Sequence, residues 1–448
     1  MLIQNQLFSL SNLPLQSDAT GQSVTDKKLP EGWREICFGE LLIGGTRNGV
    51  YVTKEFHGRG VKIVNMGELF AYPRLVNVPM KRVELSPEEL ERSYLIKGDL
   101  LFARRSLVSE GAGKCSMVCE IAEPTTFESS IIRARPDPDI TDSFFLFYLF
   151  SSTYGQYLMK TIRRDMAVAG ITGTDLAALK IPLPPLPTQR RIAAILGCLD
   201  DKIDLLRKEN KTLEAIAQTL FKRWFVEFNF PDAIGKPYKE GGGKMVESEL
   251  GEVPEGWRVG RLIEFGKVIC GKTPSKSNPE YFGGRVPFIK IPDMHNQMFI
   301  TETQDSLTEV GADSQKQKFI PPNSILVSCI ATVGLVSISS QSSQTNQQIN
   351  TIVPNSKHLL GYLYFILRNM KSDLQAMGSG GSATLNINST SFANIEINFP
   401  PANILAEFQV IIDPIMSKIL LNLFQIQYYS RFRDTLLPKL ISGEILVT

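Results

Sequence analysis

The chain has 448 residues, 43% of them hydrophobic, and a formal net charge of +2. That length and apolar content are enough for two or three ordinary cores, which excludes a disordered or fibrous chain. Near-neutrality excludes a heavily basic, tail-type nucleic-acid binder but leaves a local basic patch open, because steering depends on local charge. The six cysteines (Cys37, Cys115, Cys119, Cys198, Cys270, Cys329) are scattered, and Cys115 and Cys119 have neither zinc-knuckle nor redox spacing. They read as free thiols of a reducing cytoplasm. His57, His295 and His358 are the only histidines and none has metal-ligand spacing, so no metal site is expected.

Taken in chain order, residues 1–28 show no basic stretch followed by an apolar core and cleavage site. No signal peptide, a cytoplasmic location and no membrane partner are expected, and the segment is otherwise unassigned. From 29 to 184, short strand-like runs alternate with turns (Leu41–Ile43, Val61–Val64, Leu100–Phe102, Ser130–Ala134) and one helix is predicted over about Asp142–Ile162. Within it the apolar run Phe144–Phe150 is far short of the roughly 20 residues a membrane helix needs. Residues 185–228 form a first helical spacer. Residues 229–252, rich in Gly, Pro and charge, read as a surface linker. Residues 253–400 repeat the first pattern, with strands predicted around Phe288–Ile291, Ser324–Ile330 and Ile349–Val353 and a helix over Leu359–Met377. A second helical spacer, 401–448, ends the chain.

The second half restates the first. Leu29-Pro30-Glu31-Gly32-Trp33-Arg34 returns as Val253-Pro254-Glu255-Gly256-Trp257-Arg258, and a Phe-Gly-x4-Gly-x-Thr pattern follows each, at Phe38, Gly39, Gly44 and Thr46 and at Phe265, Gly266, Gly271 and Thr273. Thr174-Asp175-Leu176, Ile181 and Pro184-Pro185 are matched by Thr390-Ser391-Phe392, Ile397 and Pro400-Pro401, and Tyr148 by Tyr364. A repeat this long is a domain plus a helix, not a solenoid unit. The expected architecture is of mixed α/β (α+β) class: two repeated domains joined by two long helices, pseudo-two-fold symmetric.

The helices carry the clearest periodicity. Spacings of four and three join Ile192, Leu196, Leu199, Ile203, Leu206, Asn210, Leu213, Ala217, Leu220 and Trp224. The second seam is Phe408, Ile412, Ile415, Ile419, Asn422, Ile426, Tyr429, Arg433, Leu436 and Leu440. Each seam has one asparagine. With the ends flush, an antiparallel coiled coil places Asn210 opposite Asn422, Ile192 near Leu440 and Trp224 near Phe408. Pro414 and Pro438 predict a kink near the start of the second helix and fraying near its end.

No catalytic constellation emerges. Gly266 to Thr273 satisfies the Walker A pattern, but Pro274 to Pro279 cannot supply the helix that must start at its Lys-Thr end. The order of Asn398-Phe399-Pro400-Pro401 is scrambled relative to the amino-methyltransferase motif, and Glu110, Lys114 or Pro231-Asp232 do not assemble a nuclease site. What remains is loop chemistry suited to DNA. In the first copy the candidates are Thr46, Arg47, Asn48, Lys54, Arg59, Lys62, Arg104, Arg105, Ser106 and Lys114. In the second they are Lys272, Thr273, Ser275, Lys276, Lys290, Gln344, Asn346 and Gln347. Arg and Lys neutralise phosphates or bond guanine, whereas Asn and Gln read adenine. Each is also what an ordinary solvated surface carries.

Several of these signatures together resemble one family. The Pro-Glu-Gly-Trp domain start, Pro184-Pro185-Leu186-Pro187-Thr188-Gln189-Arg190-Arg191-Ile192-Ala193 leading into the first helix, Ser248-Glu249-Leu250-Gly251 before the second copy, and Leu436 to Glu444 at the end resemble the specificity subunit of type I restriction-modification systems. The resemblance implies two target recognition domains, each reading one half of a bipartite double-stranded DNA sequence. It also implies that the paired helices act as spacer and as dock for two adenine methyltransferase subunits, with restriction subunits in a larger assembly. It implies a non-catalytic chain that binds no cofactor, S-adenosylmethionine, ATP and magnesium belonging to partner subunits. The competing reading is a coiled-coil adaptor with two protein-binding α/β modules.

Overall fold

The computed structural model describes residues 29–107, 109–164, 169–379 and 385–447, so the expectation for residues 1–28 lies outside the described residues. The chain divides into two compact units: residues up to Asp200 together with Arg431 onward, and Asp201–Ser430. Each unit takes one end of each long helix, α1 (Leu186–Phe221) and α2 (Ala402–Ile441).

The α/β part of the first unit has eight strands of interest: β1 (Leu42–Asn48), β2 (His57–Val64), β3 (Arg74–Val76), β4 (Lys81–Val83), β5 (Leu100–Ala103), β6 (Cys115–Glu120), β7 (Thr125–Phe127) and β8 (Ile131–Pro136). They form a five-stranded sheet in the order β1-β8-β5-β6-β3 and a three-stranded sheet in the order β4-β2-β7. Most neighbours are antiparallel, but β3 runs parallel to β6 and β2 parallel to β7. β5 is buried along its whole length, because the helices Ser143–Ser151 and Thr153–Ile162 cover one face of the larger sheet and residues such as Val64, Leu69 and Phe127 fill the other.

The second unit repeats this plan strand for strand: β9 (Gly266–Cys270), β10 (Phe282–Ile289), β11 (Phe299–Ile300), β12 (Asp305–Leu307), β13 (Ile325–Ser328), β14 (Val336–Ser339), β15 (Gln344–Thr345) and β16 (Ile349–Pro354). The orders are β9-β16-β13-β14-β11 and β12-β10-β15, with the same two parallel pairs. Residues 245–254 form a hairpin, Met245–Ser248 with Gly251–Pro254, and Phe230 stacks on both Tyr238 and Trp257.

Local chemistry modifies two expected helices. The stretch from Asp142 breaks at Ser152, which is extended (φ −71°, ψ 165°) and caps the next helix by accepting from the Gly155 amide. The break is sterically held, since a Cβ on Gly155 would lie 2.2 Å from the Leu149 carbonyl oxygen. The counterpart breaks at Met370 into Leu360–Asn369 and Lys371–Gly378. In α2, by contrast, the helix runs through Pro414 and Pro438 to Ile441. Both prolines lie on the exposed face, where the carbonyl each leaves without an amide partner is open to water.

Candidate nucleic-acid interface

In each unit the edge strand of the larger sheet runs into a segment that crosses the end of the smaller sheet. In the first, β1 ends at Asn48 and the Gly49 and Val50 amides donate to the Ile131 and Phe127 carbonyls at 3.2 and 2.9 Å. The Glu128 amide donates to Val64 and the Ile131 amide to Glu128, both at 3.0 Å. In the second, the Gly271 and Lys272 amides donate to Ile349 and Thr345 at 3.1 and 2.9 Å, Asn346 to Ile289 and Ile349 to Asn346, both at 3.2 Å. Two further bonds match: Arg104 to Ser130 corresponds to Cys329 to Gln348, and Ile171 to Arg104 corresponds to Ile387 to Cys329. Six backbone bonds therefore build one cradle twice.

A glycine is obligatory at the crossing. A Cβ on Gly49 would lie 2.2 Å from the Phe127 carbonyl oxygen, and one on Gly271 would lie 2.1 Å from that of Asn346. These contacts make Gly49 the counterpart of Gly271, which corrects the Phe-Gly-x4-Gly-x-Thr alignment. The Phe38 amide bonds Leu179 O where the Leu262 amide bonds Ile395 O, so Phe38 matches Leu262 and not Phe265. The first copy then carries two extra residues at the bulge in β1, where Gly44 and Gly45 have φ of 69° and 68°. The residue equivalent to Lys272 in the first copy is thus Val50, and the one equivalent to Thr273 is Tyr51. Lys272 and Thr273 are followed by turn, with no α-helix to receive a phosphate.

The first cradle gathers Thr46, Arg47, Asn48, Arg104, Arg105 and Ser106 around Glu128–Ile131. Arg47, Asn48 and Arg105 are exposed; Thr46, Arg104 and Ser106 are half-buried. Tyr51, which sequence reasoning missed, is 83% exposed at its rim. The other cations lie elsewhere on the unit. Lys54 is exposed on the turn before β2, Arg59 pairs with Glu84 at 2.6 Å, and Lys62 pairs with Glu123 at 3.0 Å. The hydrogen bonds from Lys62 and Arg82 hold the Glu123 carboxyl below the usual carboxylate range. Lys114 donates to Phe70 O and sits over the Phe70 ring.

The second cradle exposes Lys272 and Gln347, with Thr273 half-buried between them and donating to Gln347 Oε1 at 2.6 Å. Ser275 and Lys276 are exposed beyond it, and Ser275 is bonded to Ser277. Lys290 is tied to Asp305 at 2.5 Å. Gln344, expected as a DNA contact, is corrected to scaffold: it is fully buried, with Nε2 donating to Ala312 O and Oε1 accepting from Gln315. Asn346 is also buried and bonds Gln348. Gln315, not singled out in the sequence, locks the loop by donating to Lys272 O at 2.8 Å. Alternation on so short a strand as β15 gave no signal that Gln344 points inward.

The helical seam is present in both units. In the second, Asn422 donates to Asn210 Oδ1 at 2.8 Å, and the Trp224 and Phe408 ring centroids are 5.6 Å apart. In the first, Ile192 and Leu196 share a core with Leu440, and Arg433 donates to Asp200 at 2.6 Å. Within each unit the segments of the two helices therefore run antiparallel. Ile203 and Ile419 are buried beside the Asn layer, as is Leu206, while Leu199, Leu213 and Ile426 are half-buried.

Among the described residues no group of His, Cys, Asp and Glu could hold a metal ion, and no helix is long and apolar enough to cross a membrane. A family model, the type I restriction modification DNA specificity domain, matches residues 30–215 and again 254–427. The chain is 35% identical to the type I restriction enzyme HindI specificity subunit of Haemophilus influenzae, over 92% of this chain and 99% of the relative. It is 26% identical to the MjaIX specificity subunit of Methanocaldococcus jannaschii, over 94% and 95%. Its fold is similar to the crystal structure of a type I restriction-modification S subunit from M. genitalium, with a TM-score of 0.56, 14% identity, and 92% and 98% of the two chains covered.

Proposed function

Because this chain belongs to the family of type I restriction-modification DNA specificity subunits, we propose that each α/β unit reads one half of a bipartite double-stranded DNA target. The recognition domains are residues 29–184 and 253–400. The helical spacers, 185–228 and 401–448, set the distance between half-sites and dock two modification subunits, and 229–252 joins the copies. The chain supplies specificity and not catalysis. S-adenosylmethionine, ATP and magnesium act on the modification and restriction subunits that assemble with it. Family membership removes the adaptor reading.

The observation that carries this reading is the duplicated cradle. Six equivalent backbone hydrogen bonds give both units one rigid platform, while the exposed side chains on it differ: Arg47, Asn48, Tyr51 and Arg105 on one, Lys272 and Gln347 on the other. A shared scaffold with divergent tips is what two readers of different sequences require, since backbone contacts position a protein on DNA and base contacts specify.

The test is sequencing of methylated bases in a host with and without the gene. A single bipartite motif whose methylation depends on the gene is expected. Binding of that motif by the assembled complex falls by orders of magnitude over a few-fold rise in salt, as phosphate neutralisation demands. Gene-independent methylation or salt-insensitive binding contradicts the reading.

A further inference from the structure

The second cradle has a geometry that goes beyond general DNA contact, and the inference rests on the reading that this unit reads a half-site. We propose that Gln347, held by Thr273, reads an adenine in the half-site of the second domain, with Lys272 holding an adjacent phosphate.

Gln347 is exposed at the cradle rim, and its neighbours fix both its backbone and its amide. Beneath it, Asn346 and Ile349 anchor the turn through their amides, and the Gly271 crossing leaves no room for the turn to shift. Thr273 Oγ1 donates to Gln347 Oε1 at 2.6 Å. A threonine hydroxyl can donate or accept, so the flipped amide would bond it through Nε2 and present the same donor–acceptor pair; the bond seen here holds the amide in place. It uses one lone pair of Oε1. The other lone pair and both Nε2 hydrogens stay free, so the amide presents one acceptor and one donor side by side. Adenine's major-groove edge, an N6 donor beside the N7 acceptor, is the complement. Guanine offers two acceptors there and cytosine one donor, so neither satisfies both amide atoms.

Lys272 is exposed one residue before Thr273, and its carbonyl is held by Gln315 Nε2. Gln315 is 4% exposed and is itself bonded to Gln344, so these two are positioning residues beneath the reader. At the equivalent places the first unit has Val50, Tyr51 and Ser129. The Ser129 amide, donating to Val50 O at 2.9 Å, does the work of Gln315. The same platform therefore carries a different reader in each unit.

The experiment uses the full chain assembled with its modification subunits, selects bound duplexes from a random library, and sequences methylated sites in the host. Gln347→Ala is expected to relax one A·T base pair in one half-site, its preference there falling about 5- to 150-fold, the range of one bidentate contact. The other half-site stays unchanged. Thr273→Val relaxes the same base pair by less. Gln347→Glu, which keeps the size and can only accept, shifts preference at that base pair toward cytosine. Lys272→Ala weakens all sequences alike and lowers the salt slope by about one. An unchanged motif in both Gln347 variants, relaxation at a G·C pair or in both half-sites, or loss of all binding would overturn the assignment. An unchanged salt slope in Lys272→Ala would overturn the phosphate contact. A wild type that yields no bipartite motif would instead contradict the reading on which this one rests.

Discussion

Asn422 donates both of its amide hydrogens, one to Asn210 Oδ1 at 2.8 Å and one to Glu209 Oε2 at 2.9 Å, in the buried seam of the second unit. Asn210 in turn donates to the Ile419 carbonyl at 3.3 Å, while Asn422 Oδ1 is buried without a partner. The layer is therefore costly as well as specific. A slip of either helix would strand both amides, which is how a polar layer fixes register. Asn210→Leu alone, which strands a buried amide, is expected to destabilise the chain by about 1–3 kcal/mol. The double variant Asn210→Leu with Asn422→Leu should recover most of that loss, and denaturant unfolding of the single and double variants measures the coupling.

Asp200 forms a second, charged junction, accepting from Tyr148 Oη at 2.7 Å and from Arg433 Nη1 at 2.6 Å. Burial and the adjacent carboxylate push the Tyr148 hydroxyl up, so it stays protonated and donating. For Arg433 burial acts downward and is outweighed by the hydrogen bonds it donates to Asp200 and Asp434 together with their negative charges. Arg433→Met leaves the carboxylate with the tyrosine alone and should cost about 2–3 kcal/mol, below the range for a fully buried pair because the arginine is partly in water. Thermal unfolding of Arg433→Met and Asp200→Asn checks it; no change in Tm in either variant would contradict the role of the junction.

Thiol chemistry follows burial. Desolvation pushes Cys329 up to about 11 and Cys115 further, so both remain neutral thiols until well above physiological pH, whereas Cys198 is exposed. A raised value means reactivity grows as pH rises toward it and is nearly absent at pH 8, where roughly one Cys329 in a thousand is thiolate. Brief alkylation of the folded chain at pH 8 followed by peptide mass spectrometry should label Cys198 and spare Cys115 and Cys329.

The proposed role of the helices as a spacer makes a geometric prediction. A helix over residues 192–224 extends about 50 Å at about 1.5 Å per residue, and the major groove returns to one face of DNA about every 34–36 Å. Two half-sites centred about one turn apart, with unread bases between them, are expected. Inserting one heptad into both helices preserves the a/d seam and should lengthen the unread spacer while leaving both half-site sequences as they are. New bases in either half-site would show that the helices do not set the distance.

What the sequence revealed and what it hid have physical reasons. Ile192, Asn210 and Trp224 were legible as a seam because a repeat sustained over ten positions leaves few alternative registers, and the two asparagines then chose the antiparallel pairing. Strands such as Leu100–Ala103 and Ile349–Pro354 were legible as short strand-like runs between turns. Phe299–Ile300 and Gln344–Thr345 were not, since two residues carry no periodicity. The cradle itself was hidden by Gly44 and Gly45: two bulge residues shifted the apparent repeat, so Gly44 was matched to Gly271 and Tyr51 escaped notice. Its true sign was Gly49 directly after a strand, as Gly271 follows one. Ser152 hid a helix break because its cap lies inside an otherwise continuous apolar pattern.

The most direct test of the account is a domain exchange. Residues 29–184 are replaced by the corresponding domain of a relative with a different target, the chimera is assembled with the modification subunits, and methylated sites are sequenced. One half of the bipartite motif should change to the relative's, with the other half and the spacer length retained. A chimera altered in both halves, or one that keeps the original motif, would contradict the claim that each unit reads its own half-site.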